Sequence, residues 1–103
     1  MHSPYYLHQL FILTLDKQWR WRYVDTITAV RNRILELCGQ RNISIHKLAI
    51  LSALPPSSIK NILYGKSQNP KILTIKLICD GLDITLGEFF STPEFDNLEQ
   101  EIQ

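Results

Sequence analysis

The chain has 103 residues, of which 45% are hydrophobic, and a net charge of +1. That suits one small domain with a modest core and leaves no room for two. The two cysteines, Cys38 and Cys79, form no CxxC, and the three histidines are scattered, so zinc spacing is absent. Both cysteines read as reduced, small core residues of a cytoplasmic protein, and no metal or cofactor is expected.

The charge becomes informative when divided along the chain. Residues 1–24 carry +2, residues 25–92 carry +3 and residues 93–103 carry −4. Between Glu36 and Asp80 no acidic residue occurs, while Arg41, Lys47, Lys60, Lys66, Lys71 and Lys76 do. A one-signed interval of this length suits a surface that faces a polyanion.

Residues 1–23 differ in texture from the rest. Their apolar run, Tyr5–Leu15, is far too short for a membrane helix. It has no basic stretch ahead and no small-residue cleavage site behind, so it makes a poor signal peptide. Aromatic and β-branched content there suits a short strand or an irregular packed segment.

From Asp25 the pattern turns helical. Ile27, Val30, Ile34, Leu37 and Cys38 recur near every 3.6 residues, with Asp25 or Thr26 as the cap and Gly39 as the stop. A helix of about two turns follows, opened by Ser44, whose hydroxyl can accept from a first-turn amide. Leu48, Ala49 and Leu51 are its apolar residues, and His46 reads as a solvated first-turn residue.

The stretch Ala53-Leu54-Pro55-Pro56 then reads as a turn and a helix start. Pro56 keeps Pro55 out of the α region, and proline is tolerated at the first helical position. Beyond it Ser57, Lys60, Asn61 and Tyr64 share one helix face, while Ile59, Ile62 and Leu63 lie opposite. Gly65 sits where a left-handed residue ends a helix.

After a loop at Ser67–Pro70, a helix is expected over Lys71–Leu82. Its inward residues would be Leu73 or Ile75, then Ile78, Cys79 and Leu82, with an end near Gly81. Thr85 and Glu88 have the spacing of a capping box, opening a helix through Phe89 and Phe90. Last, Thr92 and Pro93 precede Phe95, Leu98 and Ile102, which predicts an acidic amphipathic helix or a fraying tail.

Two short helices joined by a tight turn, the second with a polar outer face, are the sequence form of a helix-turn-helix. The second helix must enter a major groove about 12 Å wide while its inner face packs on the first.

The stretch from Leu48 to Pro70 resembles the phage repressor and Cro family of helix-turn-helix DNA-binding domains, also called XRE-like. The likeness rests on Leu48-Ala49, Leu54 in the turn, Ser57-Ser58-Ile59, Ile62, Gly65-Lys66 and Asn69-Pro70. Residues Leu73–Phe90 look like that family's fourth and fifth helices. The resemblance covers roughly Thr26 to Phe90 and implies an all-α fold: five short helices in a lambda-repressor-like domain, with a sixth at the C-terminus or a tail. It divides the chain into an N-terminal extension (1–24), the helix-turn-helix domain (25–92) and an acidic segment (93–103).

The resemblance implies roles as well. Ser57, Lys60 and Asn61 would face base edges, lysine suiting guanine and asparagine adenine. Ser44, Lys47, Ser58, Tyr64, Lys66 and Asn69 would contact phosphates. Ser58 also reads as a local cap, and Tyr64 could instead pack its ring over the helix end. The chain departs from the family at three places. Ala53 stands where glycine is frequent in the turn, which costs free energy if φ is positive. Ile45 replaces a frequent phosphate-clamping glutamine. Pro56 offers no side-chain donor where relatives often read a base.

Relatives commonly begin just before their first helix. Val24 is thus an alternative start, since GTG can initiate translation in bacteria. On that reading residues 1–23 are an upstream extension, weakly ordered or not native, with no role in DNA binding. The rival reading is a true arm that sets Trp19-Arg20-Trp21-Arg22 on a partner or on DNA.

The function expected from the resemblance is sequence-specific binding of double-stranded DNA in transcription regulation, repressor-like and as a homodimer. The C-terminal helix is the first candidate for the dimer surface. No nucleophile–base pair, metal cluster or glycine-rich phosphate loop is present, so no enzyme is expected. The alternative keeps the fold but makes it an antitoxin or other interaction module. There, Phe89-Phe90 or the segment after Thr92 would engage a protein partner.

Overall fold

The computed structural model describes residues 11–13, 19–21 and 24–102. Two three-residue strands come first, β1 (Phe11–Leu13) and β2 (Trp19–Trp21). They pair antiparallel, with Phe11 opposite Trp21, Ile12 opposite Arg20 and Leu13 opposite Trp19. Part of the N-terminal segment is therefore strand. Arg22 and the rest of residues 1–23 beyond the two strands lie outside the described residues.

From residue 24 the described chain is all-α. Six helices follow: α1 (Thr26–Arg41), α2 (Ile45–Leu51), α3 (Pro56–Leu63), α4 (Ile72–Leu82), α5 (Leu86–Phe90) and α6 (Pro93–Asp96). None of them is long and apolar enough to cross a membrane.

In α1, Asp25 is the cap, and its Oδ1 accepts from the Thr28 N–H at 3.0 Å. A second acceptor arrives from the far end of the chain. Glu101 Oε2 accepts from the Thr26 N–H at 2.9 Å and from the Thr26 hydroxyl at 2.8 Å. A carboxylate is favourable there because the first amides lack carbonyl partners and the dipole is positive. Val30, Ile34, Leu37 and Cys38 are buried as their spacing predicts, together with Ala29. Gly39 does not stop the helix. It continues to Arg41, and Asn42 takes the left-handed conformation at φ 53°, with the Ile43 N–H on the Cys38 carbonyl at 3.0 Å. Asparagine visits that region at little cost, so the end needs no glycine.

Ser44 caps α2 as expected, accepting from the Lys47 N–H at 3.0 Å. Leu48 and Ala49 are fully buried, while Ile50 and Leu51 point outward. In α4 the inward residue is Ile75; Leu73 is exposed. α4 ends near Gly81 as expected. The helix runs to Leu82, and Asp83 turns left-handed at φ 58°.

The Thr85–Glu88 capping box is present in both directions, at 3.0 and 3.2 Å. Arg33 in α1 reaches the other end of α5. Its Nε donates to the Phe89 carbonyl at 2.7 Å and its Nη2 to the Glu88 carbonyl at 2.8 Å. Those are last-turn carbonyls, of which the Glu88 carbonyl takes only a long bond from the Ser91 N–H, at 3.4 Å, so a cation there satisfies both the hydrogen bonds and the dipole.

Pro93 stands at the first position of α6, but the Thr92 side chain makes no cap bond, and the helix ends at Asp96. The acidic amphipathic helix is thus a single turn followed by a tail, in which Ile102 is exposed. Helix propensity without a cap does not sustain a short solvated helix. The tail lies back on α1 through Glu101, and Glu94 Oε1 accepts from the Asn32 amide at 3.2 Å. Phe90 stacks edge-on to both Phe89 and Phe95, with centroids 4.8 and 5.0 Å apart.

A single core unites the helices. Ile34, Leu48, Ile59, Ile62, Ile78, Leu82 and Phe89 are its largest wholly buried members, and Cys38 and Cys79 lie within it as free thiols.

Candidate nucleic-acid interface

The turn between α2 and α3 sets the interface. Ala53 has φ 53°. Its N–H meets the Ile50 carbonyl at 3.2 Å, and the Leu54 N–H meets the Ala49 carbonyl at 3.0 Å. This pair of bonds is a Schellman ending, with Leu54 folding inward against the core. The positive φ that the sequence raised only as a condition is present at Ala53, and it directs the chain into Pro55. That residue is extended, at φ −60° and ψ 141°, and Pro56 opens α3.

In α3 the two faces separate as their spacing requires. Ile59 and Ile62 are buried and Leu63 is half-buried, whereas Ser57, Lys60 and Asn61 are exposed. Tyr64 is 73% exposed, so its ring does not pack over the helix end. No side chain caps the start of α3, so Ser58 is not a cap; its N–H bonds to the Pro55 carbonyl at 2.9 Å. The helix ends at Leu63, and Gly65, just beyond the Tyr64 cap, is left-handed at φ 91°.

The following loop is fastened to the helix by two bonds. The Ser67 N–H donates to the Asn61 carbonyl at 2.8 Å, and the Gln68 amide donates to the Gly65 carbonyl at 2.6 Å. A shallow groove of about 330 Å³ results, lined by Ser58, Asn61, Ser67, Asn69, Lys71 and Thr74 among others. It brings together three residues singled out in the sequence, Ser58, Asn61 and Asn69, and adds Ser67, Lys71 and Thr74. Lys71 was visible beforehand only as a member of the acid-free interval. Ser67 and Thr74 gave no signal, because hydroxyl residues in a loop and a first helical turn are ordinary.

The remaining candidates lie outside that groove. Ser44 caps α2 and Lys47 sits in its first turn, both exposed, the Ser44 oxygen already engaged with the Lys47 amide. Lys66 is exposed immediately after Gly65. Ile45, which replaces the family's frequent glutamine, is half-buried and packs on the core. Among the described residues no group of His, Cys, Asp and Glu could hold a metal ion.

Arg31 carries no signal of its own in the sequence. It is part-buried, and its Nε donates to the Ile62 carbonyl at 2.7 Å.

The family model of the Cro/C1-type HTH DNA-binding domain matches residues 33–94. The chain belongs to this family. Among solved structures, prophage Lp1 protein 11 shares 30% identity, covers 73% of this chain and all of its own, and superimposes with a TM-score of 0.64. The wild-type restriction-modification controller protein C.Esp1396I shares 25% identity over 66% of this chain and 87% of its own, with a TM-score of 0.59. A mutant of that controller protein, at 22% identity and a TM-score of 0.61, shares the fold over 76% of this chain and all of its own. No curated protein matches the chain at a significant level. In this Cro/C1-type chain α2 and α3 are the helix-turn-helix.

Proposed function

We propose that this Cro/C1-type protein is a sequence-specific regulator of transcription, repressor-like, that binds double-stranded DNA as a homodimer and without catalysis. The observation that carries the reading is the outer face of α3. Ser57, Lys60 and Asn61 stand exposed on a helix whose other face is buried at Ile59 and Ile62. They are flanked by a stretch from Glu36 to Asp80 in which every charge between the two acids is positive. Hydrogen-bonding side chains outside and branched apolar ones inside are what a helix needs to enter the major groove while held by its own domain.

In this reading Lys60 and Asn61 carry most of the base discrimination, Ser57 supplements them, and Pro56 contributes only backbone geometry. Ser44, Lys47, Ser58, Tyr64, Lys66 and Asn69 hold the phosphates, which provide most of the affinity and make it salt-dependent. One α3 reads few base pairs, so two copies on paired half-sites supply useful specificity.

The test is selection of bound duplexes from a random pool by the full chain. A palindromic consensus is expected, with binding that weakens steeply as salt rises. On that consensus Asn61→Ala should cost about 1–3 kcal/mol and relax one position, whereas Lys66→Ala should weaken all sequences alike. If both variants bind the selected and random duplexes as wild type does, the docking face is wrong. A co-purifying protein partner with no salt-sensitive DNA binding would favour an interaction module.

A further inference from the structure

We propose that Arg31 is a positioning residue for DNA reading: from α1 it clamps the C-terminal end of α3 and so fixes how Lys60 and Asn61 are presented. The inference rests on the DNA-binding reading above.

Three observations lead to it. The last turn of α3 must find partners for carbonyls that the helix leaves open. The Lys60 carbonyl takes the Tyr64 N–H at 2.9 Å, and the Asn61 carbonyl takes the Ser67 N–H at 2.8 Å. Both partners come from the chain immediately following. The Ile62 carbonyl instead takes Arg31 Nε, at 2.7 Å, from a residue 31 positions away. It is a hydrogen-bonded tie between the end of α3 and a different helix, set one residue from Asn61 and two from Lys60.

Second, the tie is charged. A guanidinium at a helix C-terminus gains from the dipole as well as from the hydrogen bond, and its planar fork holds direction better than an ammonium would.

Third, the guanidinium is not seated for stability alone. Arg31 Nη2 is buried with no hydrogen-bond partner. A buried donor left unpaired opposes folding. Methionine at this position would keep an unbranched apolar stem and remove that orphan donor. Removing that orphan donor offsets part of what is lost when the Ile62 carbonyl gives up its partner and Asp25 its nearby cation, while the end of α3 loses its lateral restraint. Hydrophobic packing of Ile59 and Ile62 still anchors the helix, but it tolerates small rotations and slides that a directional hydrogen bond does not. Bidentate base contacts depend on those small displacements; phosphate contacts, made by flexible side chains, depend on them less.

The experiment compares wild type, Arg31→Met and Arg31→Lys on the duplex selected from the random pool and on a scrambled duplex of equal length and composition. Thermal unfolding is followed in parallel. Arg31→Met is expected to stay folded at the temperature of the binding assay, with a lowered unfolding midpoint. It should lose about tenfold or more on the selected duplex and less than about threefold on the scrambled one, with an unchanged salt slope. Arg31→Lys keeps the charge and one donor, and should fall between. Equal losses on both duplexes would overturn the inference, since they mark a merely structural role. So would no loss on either, or a salt slope reduced by about one, which marks a direct phosphate contact. Should Arg31→Met not fold, Arg31→Lys carries the test alone: an intermediate loss confined to the selected duplex supports the clamp, and wild-type discrimination overturns it. A wild-type protein that binds neither duplex would instead overturn the DNA-binding reading, and the inference with it.

Discussion

Gly81 in α4 lies against the end of α2 so closely that a Cβ there would stand 2.8 Å from the Leu51 carbonyl oxygen. The same Cβ would be 2.7 Å from Ser52 Oγ and 2.8 Å from the Leu51 carbonyl carbon. A hydroxyl can rotate away, but backbone cannot. Gly81 therefore lets α4 approach the first helix of the helix-turn-helix, a different task from ending its own helix.

Gly81→Ala should accordingly destabilise the fold by about 1–3 kcal/mol, as overpacking does, and urea unfolding would show a lower midpoint at an unchanged slope. Gly39 is the internal control. It lies within α1, and a Cβ there meets nothing within 4 Å. Gly39→Ala should raise stability by up to about 1 kcal/mol, because alanine restricts the unfolded chain and favours helix.

Ala53 offers the converse case. At φ 53° its Cβ crowds the following carbonyl, at a cost of roughly 1–2 kcal/mol relative to glycine. Glycine gives back part of that gain through greater unfolded-state entropy, roughly 0.4–1 kcal/mol. Ala53→Gly should thus stabilise by up to about 1 kcal/mol, read again from the urea midpoint. Unchanged or lower stability would mean that the turn holds no relievable strain.

Burial raises the thiols of Cys38 and Cys79 above their ordinary value, since a thiolate would lose its solvation in the core. Both should stay protonated near neutrality and react slowly with an aromatic disulfide reagent. Labelling should accelerate as urea opens the fold. Fast labelling in buffer alone would show that the core opens locally at these positions.

The sequence made the helix-turn-helix legible because its signals are local. Ser44, the prolines at 55 and 56, the two faces of α3 and the Thr85–Glu88 box each act within one or two turns, and the structure reproduces them. Gly39 misled because a glycine near the end of an apolar pattern suggests a stop, whereas the end near Gly81 was met at Leu82. Here Asn42 and Asp83 take the left-handed positions. Contacts between distant residues gave no signal. Arg31 on Ile62, Arg33 on α5 and Glu101 on Thr26 are made by side chains whose spacing marks them only as surface polar groups. Packing decides their partners, and periodicity does not report packing.

Two carboxylates should respond oppositely to acid. The Asp25 carboxyl is held below its ordinary value of 3.8 chiefly by hydrogen bonds from Thr28, side chain first and then backbone, with the Arg31 charge adding to them. A depressed carboxylate stabilises the fold above its unfolded pKa, and that contribution is lost as pH falls through the folded one. Glu94 is pushed above its ordinary value of 4.5, mainly by burial and also by the Glu36 charge, against the opposing Asn32 hydrogen bond. The sign is then reversed: the folded state binds the proton more readily, so stability declines as pH rises from about 4.5 through the raised folded value. Glu94→Gln keeps an acceptor for Asn32 and removes the half-buried charge. It should be more stable than wild type at neutral pH, and the gap should close as pH falls below about 4.5. Asp25→Asn should show the other pattern, with its largest deficit at neutral pH and convergence with wild type only below about 3.8. Unfolding midpoints measured at half-unit steps between about pH 3 and 7 would separate the two. A gap for Glu94→Gln that does not vary with pH would show that the carboxylate's burial is not what costs stability.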